Sequence, residues 1–201
     1  SLEDGRTEKT AKQEEKLYAE VGELAGKMPV TLEEPNVLLL DMAEYSVDGG
    51  EWRPCEEILR IDDKSRTQLG MKLRGGGWAQ PWVTKEKSRP KNNLKLKFTI
   101  ESDIRVKGAH LALESLEYTK IYLNGRKVNA PADGIYVDDS IKTVPLPDIK
   151  PGTNELILDI KFGKLVMVEW CYLLGDFGVE VKGRYSKIVK PVTELAFGDW
   201  T

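Results

Sequence analysis

One histidine, His110, serves a chain of 201 residues, and its two cysteines, Cys55 and Cys171, lie far apart. The scarcity of histidine removes a serine or cysteine triad unless His110 is itself the base. No Cys-x-x-Cys pair exists, so a zinc centre has no ligand set. The two cysteines read as buried free thiols. No apolar run approaches the roughly 20 residues that span a bilayer, and the opening SLEDGRTEKT is charged and polar, unlike a secretory leader. Basic excess is missing as well. A net charge of -3 gives no footprint for nucleic acid. What remains is 40% hydrophobic and 31% charged, the composition of a soluble globular protein with neither a nucleic-acid nor a membrane partner, its location in the cytoplasm or outside the cell left open.

Along the chain the hydrophobic period changes. Residues 6 to 25 are rich in Ala, Glu and Lys, with Leu17, Val21 and Leu24 on one stripe, which predicts a surface helix. With a connector this makes an N-terminal segment over 1–35. Residues 36–93 form a mixed helical and irregular segment, packing on a sandwich expected over 94–183. Val37 to Leu40 suits a buried strand, and Asp48-Gly49-Gly50 a turn. Residues 51–70 are expected to be helical, with Pro54 in the first turn, Glu56 and Glu57 at the positive end, and Gly70 past the last turn.

From residue 94 the period is two. Leu94, Leu96, Phe98 and Ile100 alternate with Lys95, Lys97, Thr99 and Glu101, the mark of a half-buried antiparallel strand. His110 falls in the next such segment and reads as an ordinary strand residue. Further short alternating runs separated by Gly, Pro and Asn predict a mainly β chain, an antiparallel β-sandwich over 94–183 behind an N-terminal helical segment. Residues 184–201 are expected to lead into a missing part of a longer parent chain. Asn124-Gly125 supplies the two positive-φ positions of a type I′ hairpin turn. Pro151-Gly152 makes another reversal, with Asn154 placed to bond nearby backbone.

Leu111, Leu113 and Glu114, then Ile121 through Val128, Val144 through Ile149 and Gly152 through Leu158, spell an arrangement that resembles the galactose-binding-like jelly rolls of large bacterial glycoside hydrolases, family 2 sugar-binding domains among them. The likeness covers about half of the chain, and the stretch from Asn36 to Gly70 resembles the segment preceding such domains. It implies a non-catalytic accessory domain, putting carbohydrate and other domains of the same polypeptide among its partners, with the parent enzyme's catalytic residues elsewhere. The alternatives are an autonomous carbohydrate-binding module and a purely structural or interaction domain.

Candidate sites derive from that expectation. Trp78 and Trp82, flanking Ala-Gln-Pro after three glycines, are the ligand-binding candidates, because an indole face stacks on a pyranose. Trp52 and Trp170 read as core or interface residues. Asp133, Asp138 and Asp139 lie close enough in sequence to be considered for a structural calcium ion. Asp62-Asp63, Asp138-Asp139, Glu169 and Asp176 are the visible carboxylates for a glycosidase pair. Asp62-Asp63 is expected on a solvated helix face, and neighbouring strand residues such as Asp138 and Asp139 point to opposite sides.

Overall fold

A computed structural model describes residues 26–74 and 89–196. The chain divides into two units, Ser1–Thr31 with Val192–Thr201, and Leu32–Pro191. In the first, β1 (Lys27–Pro29) pairs antiparallel with β15 (Glu194–Ala196), and a Lys27–Glu194 ion pair of 3.2 Å spans them. The predicted helix over 6–25 lies outside the described residues.

The second unit is a sandwich of two sheets. The smaller has the order β2 (Asn36–Leu40), β12 (Cys171–Gly175), β6 (His110–Leu113), β10 (Asp138–Pro145) and β9 (Gly134–Tyr136), antiparallel throughout. The larger is built on β5 (Asn92–Ser102) and β11 (Gly152–Phe162), which pair residue for residue along their whole length. Beyond β11 come β7 (Thr119–Leu123) and β8 (Arg126–Val128). The far side of β5 is shared. Its beginning takes β3 (Met42–Val47), which pairs in turn with β4 (Arg53–Glu57). Its end takes β14 (Tyr185–Val189), followed by β13 (Gly178–Lys182). The β14–β5 contact is the one parallel pairing among the described residues.

Alternation explains the layers. Leu94, Leu96, Phe98 and Ile100 of β5, with Leu156, Leu158, Ile160 and Phe162 of β11, enter one hydrophobic cluster with Leu38, Leu111, Val144 and Leu173 of the smaller sheet. Each such side chain stabilises the sandwich by about 1.5–3 kcal/mol. Asn124 at φ 50° and Gly125 at φ 74° form the expected hairpin turn between β7 and β8.

The sandwich takes in more chain than 94–183. β2 and β3 place residues 36–47 in both sheets, and β14 lies beyond the stretch. The helix is also shorter than expected. α1 runs from Ile58 to Gln68, and Pro54 sits in β4, which among the described residues pairs with β3 alone, an edge position that tolerates a missing N–H. Glu57 caps α1, its carboxylate accepting from Leu59 N and Arg60 N at 3.0 Å each. Gly70, at φ 66°, does follow the last turn. Ile58 and Ile61 are buried as the pattern requires, whereas Leu59 is exposed. Cys171 is buried, its thiol pushed up to about 12 by desolvation, but Cys55 is exposed on β4. Among the described residues no helix is long and apolar enough to cross a membrane.

Candidate functional site

On the smaller sheet, the side opposite the core carries two rows of side chains. Register alignment puts Val37, Leu174, His110 and Pro145 in one row, and Leu39, Tyr172, Ala112, Thr143 and Gly134 in the next. Above these rows opens a cavity of about 640 Å³, lined by Val37, His110, Thr143, Leu174 and Gly175, by Glu34, Pro35 and Gly108, and by Asp133, Ile135, Tyr136 and Val137. Its size falls within the range of small-molecule sites, roughly 300–1,000 Å³.

One wall is polar. Asp133 accepts from Thr143 Oγ1 at 2.9 Å on one oxygen and meets His110 Nε2 at 2.9 Å on the other. The Thr143 hydrogen bond first, and then that of His110, hold the Asp133 carboxyl below its usual value. His110 Nδ1 lies 3.0 Å from the Gly108 carbonyl. Both ring nitrogens thus face acceptors, so a protonated ring donates twice and a neutral ring once. Gly134 makes room for this wall. A Cβ on it would come within 2.9 Å of Thr143 Oγ1, the atom that holds Asp133.

The other wall is apolar and aromatic. Val37 and Leu174 form the floor beside His110, and the Tyr136 ring leans on Tyr172, centroids 5.2 Å apart at 52°. Ile135 is 54% exposed at the rim. A half-polar, half-apolar concavity of this kind meets a ligand that has hydroxyls on one side and carbon on the other.

The sequence candidates fare unevenly. Trp78 and Trp82 lie outside the described residues. Asp133 belongs to the cavity wall, while Asp138 accepts from Ser140 N and Oγ at 2.6 Å each and Asp139 is exposed on the same strand. No group of three or more His, Cys, Asp or Glu side chains is placed to hold a metal among the described residues, so the Asp133, Asp138 and Asp139 carboxylates do not converge as one such group. Trp52 and Trp170 are surface residues rather than core, each 41% exposed. Lys97 Nζ sits 4.7 Å from the Trp52 ring centroid, and Trp170 Nε1 donates to Glu57 at 2.9 Å. Asp62 is fully buried rather than solvated, because Arg66 and Arg74 both donate to it, at 2.6 and 2.9 Å. Glu169 is taken up by Arg74 in turn. Asp63 and Asp176 are exposed.

His110 and Thr143 were not sequence candidates. They stand 23 and 10 residues from Asp133, and strand pairing alone brings them to it. The only local signal was a histidine on the outward phase of a strand. No protein-family model, curated protein or solved structure matches the chain.

Proposed function

We propose that this chain is a non-catalytic, carbohydrate-contacting β-sandwich of the galactose-binding-like jelly-roll type, an accessory domain of a multidomain bacterial glycoside hydrolase. The observation that carries the reading is the cavity of about 640 Å³ on the smaller sheet, whose lining combines the polar His110, Asp133 and Thr143 with the apolar and aromatic Val37, Leu174 and Tyr136. A sugar ring has matching halves, C–H groups on its faces and hydroxyls at its edge. Its hydroxyls can donate to the lone pairs that remain on Asp133. The carboxylates considered for hydrolysis support a non-catalytic role in part, since Asp62 and Glu169 are engaged by arginines.

Calorimetric titration with neutral oligosaccharides tests the reading. The wild-type chain is expected to bind saturably, and Tyr136→Ala to weaken binding at least about tenfold, the loss of stacking worth roughly 1.4 kcal/mol. Folded protein that binds no sugar in the panel refutes it. The runner-up is an interaction domain without sugar contact. It is favoured by the exposed Ile135 at the cavity rim, an apolar side chain that a neighbouring domain of the same polypeptide would cover.

A further inference from the structure

The charge of the cavity and the backbone at its lip go beyond a general affinity for sugars. Among the described residues the ionisable groups lining the cavity on acidic or basic side chains are Glu34, Asp133 and the His110 ring, with no lysine or arginine. His110 already faces Asp133 at 2.9 Å. An anionic ligand would therefore meet two carboxylates and find no guanidinium or ammonium to receive it.

Val137, which lines the same cavity, has φ 64° and is 85% exposed. A β-branched residue in the left-handed region is strained, and glycine would hold that conformation without cost. The turn around it is fixed. Tyr136 and Asp138 pair across it, and Asp138 is bound to Ser140. The strand register thus presents an isopropyl group to solvent at the mouth of a cavity, in a conformation that a valine disfavours.

We propose that the cavity selects a neutral ring over one carrying carboxylate or sulfate, and that Val137 is the lip that grips the ring's apolar face. This selectivity rests on the carbohydrate reading above. The probes are a neutral oligosaccharide and its uronic-acid counterpart, identical except for oxidation at the sixth carbon, galactose and galacturonate oligomers being one such pair. The neutral form is expected to bind about tenfold more tightly at low salt, the factor that two carboxylates each about 6 Å from the ligand's charge give together even at the dielectric constant of water. High salt and Glu34→Gln should each narrow the gap. Val137→Gly should weaken the neutral ligand about fivefold by removing apolar contact, while raising Tm by roughly 2–4 °C through relief of strain. Equal or tighter binding of the uronate overturns the charge selection and leaves the carbohydrate reading standing. Unchanged affinity in Val137→Gly overturns the lip. Silence from both sugars overturns the carbohydrate reading and this inference together.

Discussion

Asn154 shows how one polar side chain can hold two turns at once. It is fully buried at the start of β11, where its Oδ1 accepts from Lys150 N at 3.0 Å and from Asn124 Nδ2 at 2.9 Å. Its Nδ2 donates to Lys150 O at 2.7 Å. Asn124 completes the clasp by accepting from Glu155 N at 2.9 Å, so the β7–β8 hairpin and the Pro151-Gly152 reversal are tied together. Asn154→Ala removes the one fully buried side chain that joins these partners, with three of their hydrogen bonds, and is expected to lower unfolding stability by about 2–3 kcal/mol, read from urea denaturation. Glu114 works in the opposite direction. Burial first, then the nearby Glu169 and Asp138 carboxylates, push its carboxyl above the usual value. A raised value means that stability is fully present below the unfolded carboxyl value and is lost as pH rises through the folded one. Glu114→Gln should therefore raise Tm at pH 7 and do so less at pH 4. Equal shifts at both would sink that assignment.

The elements differ in how plainly the sequence announces them. In β5 the alternation from Leu94 to Ile100 was legible because period two is a local property, and all four residues are buried. The Asn124-Gly125 turn was legible because few residues accept positive φ at two consecutive positions. The start of α1 was misplaced because Pro54 and two glutamates suit a helix N-terminus and an edge strand equally well. The pairing of β3 with β4, which decides between them, is a non-local fact. The burial of Asp62 was hidden for the same reason. Arg66 is its helix neighbour at i+4, but Arg66 also donates to the carbonyls of Lys164 and Val166 at 3.1 and 2.8 Å, about a hundred residues away. Its guanidinium carbon lies 5.2 Å from the Phe162 ring centroid. Arg66 thereby docks α1 onto the loop leaving β11. Arg66→Ala removes a partner of a buried carboxylate and should cost about 3–5 kcal/mol. A loss under 1 kcal/mol in denaturant titration would mean that water or Arg74 compensates.

At the scale of the molecule, the smaller sheet has one face in the core and the other open, and the open face carries the cavity. Its polar wall was illegible beforehand because His110, Asp133 and Thr143 come from β6, the approach to β9, and β10. They become neighbours only when Gly134 aligns with Thr143 and His110 with Pro145. The sequence candidates Trp78 and Trp82 point instead to residues 75–88, outside the described part. The two locations make opposite forecasts for one experiment, titration of the isotopically labelled chain with a neutral oligosaccharide while backbone amide shifts are followed by NMR. A sugar seated in the cavity is expected to shift residues 108–112, 133–137, 143 and 172–175, in a saturable and common concentration dependence. Shifts confined to residues 75–88, or none in a folded chain, would contradict the assignment of the cavity as the sugar site.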